Sequence, residues 1–141
     1  DDKLLKTFST VAKNLDMEHV LVVHGDDGLD EISITGPTQI SELKNYKIEE
    51  YSIEPSDFGL SNAKFDEITA QTPEESLRLV REAFSGEKSA VQDMIALNSG
   101  AALYIAKKVQ SISDGIELSF ELMNNGMAAD KLASYVRVSN S

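Results

Sequence analysis

Val20-Leu21-Val22-Val23-His24-Gly25-Asp26-Asp27-Gly28-Leu29-Asp30-Glu31 is the stretch whose reading decides the fold. Four apolar residues bounded by glycine and carboxylates read as a buried strand that delivers a flexible acidic loop at its C-terminal end. Open α/β sheets place their ligands at that end of a strand. Gly25 and Gly28 let the backbone turn tightly, and the adjacent Asp30 and Glu31 offer hard oxygen ligands with no soft donor beside them. Magnesium is the ion this donor chemistry suits. The loop does not match a calcium-binding EF-hand, since the sixth position counted from Asp26 is Glu31 where that motif needs glycine.

Composition narrows the partners. The 141 residues are the size of one domain, and 13 Lys and Arg against 24 Asp and Glu leave a formal charge of -11. That charge repels a nucleic-acid backbone or an anionic membrane and favours a metal or a cationic partner. With aromatics at only 6% of the chain, stacking on bases has little to work with. Cysteine is absent, which excludes disulfides and thiolate metal sites and agrees with a cytoplasmic setting. No run of about 18 apolar residues suggests a membrane span, and no basic-then-apolar signal segment is visible.

Outward from the loop, Leu4, Leu5, Phe8, Val11, Ala12 and Leu15 recur at helical spacing ahead of the strand. After the loop, Ile32 and Ile34 alternate with Ser33 and Thr35 in a short extended piece that Gly36-Pro37 interrupts. Residues 38–43 and 47–53 alternate as strands around Asn45, which predicts a β-hairpin. Glu54 to Leu60 breaks the pattern, and a polar surface loop is expected through Gln71.

The remainder reads as helical. Thr72-Pro73-Glu74-Glu75 is a capping box with proline at the first helical position, which predicts a helix from 73 to about 84, stopping at Ser85-Gly86. Ser89 and Gln92 repeat the device and open a helix that is apolar almost all round, with Ser99, Gly100, Ala101 and Ala102 allowing close approach. A further start is expected at Asp114 with Glu117, a stop at Asn125-Gly126, and a last helix over 127–136. The fold class that follows is α/β: a partial mixed sheet, made of a buried strand plus a β-hairpin, flanked by helices, with a helical C-terminal part.

Other polar residues carry less. His24 stands beside the acidic loop, where a metal ligand or general base is conceivable, but a ring that donates to a backbone carbonyl is the expected outcome. His19, beside Glu18, is expected at the surface, as are Asp26 and Asp27. Asn98 in its apolar helix is expected to cap a neighbouring loop carbonyl rather than orient a ligand. Ser33 and Thr35 lack the His and Asp partners of a nucleophile. The lysines and arginines show no phosphate-cradling spacing.

Several of these segments together resemble the C-terminal half of anthranilate phosphoribosyltransferase. They are Val22-Val23-His24-Gly25 with Asp27-Gly28-Leu29-Asp30-Glu31, then Ser33 to Thr38, then Pro55 with Asp57-Phe58-Gly59-Leu60. Asn98 with Gly100-Ala101-Ala102-Leu103-Tyr104, Asp114-Gly115-Ile116-Glu117 and Gly126-Met127-Ala128 complete the match, which covers nearly the entire chain. The sequence departs from the family at Ser76, where asparagine is frequent, and at Ser56, where an acidic residue is usual.

The resemblance implies that residues 1–141 are the C-terminal portion of a glycosyltransferase α/β domain, with the family's helical N-terminal domain and Gly-rich phosphate-binding loop absent. It implies transfer of the phosphoribosyl group from phosphoribosyl diphosphate to anthranilate, in tryptophan biosynthesis. Asp30 and Glu31 are then the Mg2+ ligands, with no catalytic residue in this portion. The complete family enzyme would be a cytoplasmic homodimer contacting through its N-terminal domain, and this portion alone would be inactive. A pyrimidine nucleoside phosphorylase of the same superfamily, and a non-catalytic module that needs a partner half, are the alternatives.

Overall fold

The computed structural model describes residues 2–140 and divides into two compact units. One holds the residues up to 62 together with 105–108; the other holds 63–104 and the residues from 109 on.

The first unit is a helix on a three-stranded sheet. Helix α1 (Leu5–Asn14) precedes strands β1 (His19–Gly25), β2 (Thr38–Lys44) and β3 (Lys47–Ile53). The strand order is β1-β2-β3 and both pairings are antiparallel, with Val23 opposite Ile40 and Ile40 opposite Tyr51. The expected hairpin is present. Asn45 and Tyr46 form its two-residue turn with φ of 51° and 62°, the positive pair that a type I′ connection requires. Strand β2 is the central and most buried of the three, with Leu43 and Thr38 at 0% exposure. Complete burial of a residue such as Leu43 contributes about 1.5–3 kcal/mol. Strand β1 is half-buried along 19–24 rather than fully buried, because among the described residues it pairs on one side only.

Helix α1 meets the sheet along a different stripe from the one its spacing suggests. Leu5, Ser9 and Ala12 are buried, whereas Leu4, Phe8, Val11 and Leu15 are exposed. The buried stripe is made of smaller side chains, and Ser9 Oγ reaches Ser41 Oγ of β2 at 2.7 Å, a hydrogen bond closed off from solvent. Close approach at Ser9 turns the bulkier residues outward. The helix ends in a Schellman motif: Met17 N–H donates to the Ala12 carbonyl at 3.1 Å and Asp16 N–H to that of Lys13 at 3.1 Å. Asp16 holds the left-handed position with φ 55°.

The second unit is helical: α2 (Pro73–Phe84), α3 (Ala90–Ile105, its last residue in the first unit), α4 (Ile112–Asn124) and α5 (Met127–Ser139). Thr72 caps α2 as the sequence predicts, its Oγ1 accepting from Glu75 N–H at 3.1 Å, while Glu75 Oε2 returns to Gln71 N–H. Ser89 accepts from Gln92 N–H at the start of α3. Helix α4 starts two residues ahead of the expected Asp114, because Ser111 is the cap and accepts from Asp114 N–H at 3.1 Å. Helix α5 runs three residues past its expected end at Val136. Gln92, almost fully buried, donates to the Ala83 carbonyl and to Asn124 Oδ1, and so ties α2, α3 and α4 together. The α/β class with a helical C-terminal part stands as expected from the sequence. Among the described residues, no helix is long and apolar enough to cross a membrane.

Candidate functional site

The acidic loop leaves the end of β1 and returns at the start of β2, and its two ends are pinned to each other. Gly25 N–H donates to the Leu29 carbonyl at 3.1 Å, Gly28 N–H to that of Gly25 at 2.9 Å, and Asp26 N–H to that of Pro37 at 2.9 Å. Ile32, Ser33 and Ile34 then enter the interior at 3%, 1% and 0% exposure. The expected extended piece at 32–35 is therefore an anchor, and Asp30 and Glu31 sit at the exposed rim just before it.

Asp27 organises this loop. It is exposed by area, as the sequence reading has it, yet both of its carboxylate oxygens are engaged. Oδ1 accepts from Leu29 N–H at 3.0 Å; Oδ2 accepts from Ser33 Oγ at 2.5 Å and from Thr35 Oγ1. Ser33 Oγ in turn accepts from Thr35 N–H at 2.9 Å, and Ser33 N–H donates to the buried Thr38 Oγ1 at 2.9 Å. Burial alone would raise the Asp27 carboxyl, but the Ser33 and Thr35 hydroxyls and the backbone N–H groups of Leu29 and Asp27 outweigh it and hold the group below the ordinary aspartate value. Gly25 is required here. A Cβ at that position would fall 2.6 Å from Asp27 Oδ1 and 3.2 Å from Ser33 Cβ.

Asp30 and Glu31 are left available. Neither carboxylate makes a salt bridge or hydrogen bond among the described residues. Partial burial first, and the adjacent Asp30 charge second, push the Glu31 carboxyl above its usual value. Two like charges close enough to feel one another, with no ion pair to either among the described residues, leave room for a shared cation. No group of three or more His, Asp or Glu side chains gathers for a metal among the described residues, so the pair does not form a closed cage. Magnesium fits such a site, since it keeps several waters and takes one or two protein carboxylates together with substrate phosphates.

The remaining polar residues fall where the loop leaves them. The His24 ring has no hydrogen-bond partner among the described residues, so the expected bond to a backbone carbonyl is not formed. His19 is not a surface residue: its side chain is 5% exposed, and Nε2 lies 2.7 Å from Glu42 Oε1, whose other oxygen accepts from Tyr51 OH at 2.9 Å. Glu42 pairs directly opposite Leu21 and Glu49, which puts His19 and Tyr51 on its own face at the diagonal positions. Asp26 is exposed and bonded weakly by Gln39 Nε2 at 3.3 Å. Asn98 Nδ2 donates to the Met94 carbonyl one turn back in α3. Asp27, Ser33 and Thr35 are the cluster that sequence reasoning passed over. The signal was the Asp-Gly pair after the strand, where an aspartate readily bonds the N–H two residues on.

Residues 1–129 match the model of the glycosyl transferase family a/b domain. The chain is 46% identical over 132 residues to the anthranilate phosphoribosyltransferase of Halorhodospira halophila, covering 94% of this chain and 39% of that protein. To the enzyme of the same name from Acetivibrio thermocellus it is 38% identical over 138 residues, covering 98% and 40%. The chain thus spans about 40% of the length of these curated relatives. Among solved structures, anthranilate phosphoribosyltransferase from Thermus thermophilus superposes with a TM-score of 0.89 at 30% identity, over 100% of this chain and 41% of that one. The Saccharomyces cerevisiae enzyme in complex with PRPP and Mg shares the fold, with a TM-score of 0.87 at 23% identity over 100% of this chain and 41% of its own. With the family model spanning the sheet, the acidic loop and all but the last helical turns, the chain belongs to the glycosyl transferase family, as part of its a/b domain.

Proposed function

We propose that this chain supplies the magnesium-binding portion of an enzyme that transfers the phosphoribosyl group from phosphoribosyl diphosphate to anthranilate. The observation that carries the reading is the pair Asp30 and Glu31, exposed and unengaged on a loop that is otherwise internally bonded. The names of its relatives supply the substrates.

Breaking the bond from the anomeric carbon to diphosphate builds positive charge on the sugar and negative charge on the leaving group, so catalysis is chiefly electrostatic and positional. Magnesium, when bound, neutralises the diphosphate and makes it a better leaving group. Asp30 and Glu31 would hold the ion. The chain's own charge of -11 would otherwise repel a polyanionic substrate, so the two carboxylates attract the cation and thereby turn the loop into a surface that phosphate can approach.

On this reading the enzyme serves tryptophan biosynthesis in the cytoplasm. Residues 1–141 are a C-terminal portion of the domain, and the phosphate-binding loop, the acceptor pocket and the homodimer contacts belong to the rest of the protein. The test is Asp30→Asn combined with Glu31→Gln in the full-length enzyme that carries this chain. The magnesium concentration for half-maximal activity is expected to rise at least tenfold with the thermal midpoint preserved. An unaltered magnesium dependence would overturn the assignment.

A further inference from the structure

We propose that Asp27 is a positioning residue for the metal-binding pair: by holding Leu29, Ser33 and Thr35 on one carboxylate, it fixes the backbone that presents Asp30 and Glu31. The inference rests on the function proposed above and deepens it, since both Asp27 oxygens are already engaged within the loop. Oδ1 is taken by Leu29 N–H, and Oδ2 by two hydroxyls.

The geometry brackets the pair on both sides. Leu29 is the residue before Asp30, and Ser33 lies two residues after Glu31, so the Asp27 carboxylate ties down the chain immediately ahead of the ligands and immediately behind them. The rear tie continues inward through Ser33 N–H to Thr38 Oγ1, which is fully buried at the first residue of β2. The front tie continues through the Leu29 carbonyl to Gly25 N–H, the last residue of β1. Residues 30 and 31 are thereby suspended between two strand ends through one side chain. A Cβ at residue 25 would force that side chain to shift from this position. An ion held by two carboxylates would be sensitive to such support, and removing a hydrogen-bonded partner behind a ligand commonly weakens metal affinity 10- to 100-fold.

Asp27→Asn tests this with little change of shape. An amide offers one oxygen, so if it keeps Leu29 N–H it faces the Ser33 and Thr35 hydroxyls with N–H donors. The two charge-assisted bonds to Oδ2 are then replaced by at most a neutral one from the amide to a hydroxyl that has turned its own hydrogen away. Thr35→Val removes a single hydroxyl at constant volume and guards against an Asp27 variant that does not fold. In the full-length protein carrying this chain, Mn2+ affinity is read by water-proton relaxation, alongside circular dichroism and amide exchange at residues 29 and 35. Asp27→Asn is expected to weaken Mn2+ about tenfold and Thr35→Val a few-fold, with native dichroism. Amide exchange at residues 29 and 35 should be faster in Asp27→Asn, and kcat should be restored at saturating magnesium. If Asp27→Asn unfolds, Thr35→Val decides by the same readout. Mn2+ affinity within twofold of the unmodified protein in the folded variants, while Asp30→Asn with Glu31→Gln loses it, would overturn the role of Asp27 and leave the metal assignment standing. Retention of affinity in the double variant would instead overturn both.

Discussion

A Cβ added to Gly115 in α4 would lie 2.7 Å from the Cα of Gly100 in α3, and one added to Gly100 would lie 2.7 Å from the Ile116 backbone nitrogen. The two helices therefore touch backbone to backbone, at a separation that no side chain permits. Small residues are what allow such an approach.

Backbone atoms cannot swing aside as a side-chain end can, so Gly115→Ala must push the helices apart. The expected cost is about 3 kcal/mol, at the upper end for overpacking. Gly100→Ala acts on the same contact. Once one alanine has separated the helices, the second costs less, so the double variant should be more stable than the sum of the single losses predicts. Urea midpoints of the two single variants and the double variant measure this, and strictly additive losses would contradict a shared contact.

Of the four non-glycine residues in left-handed backbone among the described residues, Asp16, Asn45, Tyr46 and Lys107, Asp16 and Tyr46 hold a helix C-terminal position and a second hairpin-turn position that glycine commonly fills. Asp16 closes α1 at φ 55°, with its negative charge at the helix's negative end, and Tyr46 occupies the second turn position of the hairpin at φ 62° with its side chain exposed. Asp16→Gly and Tyr46→Gly should each stabilise by about 0.5–1 kcal/mol, the relief of strain exceeding the added freedom of the unfolded chain. Thermal midpoints should rise by about 2–3 °C for each. Asp16→Ala is the control, removing the charge while keeping the strain, and it should gain less than Asp16→Gly.

The same local chemistry explains what sequence reading reaches and where it stops. Thr72 and Glu75 announce the start of α2 because a cap acts over three residues, and Asn45 marks the hairpin because a two-residue turn acts over four. Asp30 and Glu31 are legible as available carboxylates because their availability consists in having no partner. Long-range pairings lie beyond such reading. The buried site of His19 depends on Glu42, 23 positions away, and the rotation of α1 depends on a bond between Ser9 and Ser41, 32 positions apart. In the loop, the tie from Asp27 to Thr35 spans eight residues and exists only once the chain has turned.

That tie makes stability depend on acidity in a definable direction. Hydrogen bonds from Ser33, Thr35 and the backbone outweigh burial and lower the Asp27 carboxyl relative to the unfolded chain. A lowered carboxyl contributes stability that is fully present above the unfolded value, about 3.9 for aspartate, and is lost as pH falls through the folded value. The difference in urea midpoint between the unmodified chain and Asp27→Asn should therefore be constant from pH 7 to about 5 and shrink as the solution is acidified further. Taking the difference removes the opposite contributions of Glu31 and Asp93, whose carboxyls are raised chiefly by burial. A gap that persists unchanged at pH 2.5 would show that the carboxylate charge is not what holds the loop.

The 141 residues by themselves should bind divalent metal weakly and transfer nothing. Phosphate needs positive charge, and two of the lysines in the unit that carries the loop are already paired, Lys107 with Glu18 at 2.6 Å and Lys6 with Glu50 at 3.4 Å. With a net charge of -11, a metal at Asp30 and Glu31 would be the main attraction this chain offers to diphosphate on the proposed reading, and two carboxylates with waters would hold magnesium loosely without phosphate oxygens to complete its shell. Mn2+ added to the isolated chain should broaden the amide resonances of residues 26–36 selectively, with affinity weaker than millimolar by about a factor of a few. With magnesium, phosphoribosyl diphosphate and anthranilate all present, anthranilate fluorescence should decay no faster than in the absence of protein. Sustained consumption at a rate proportional to chain concentration would mean that the acidic loop and its two units carry a complete site, and that the rest of the length of its relatives adds something other than the chemistry.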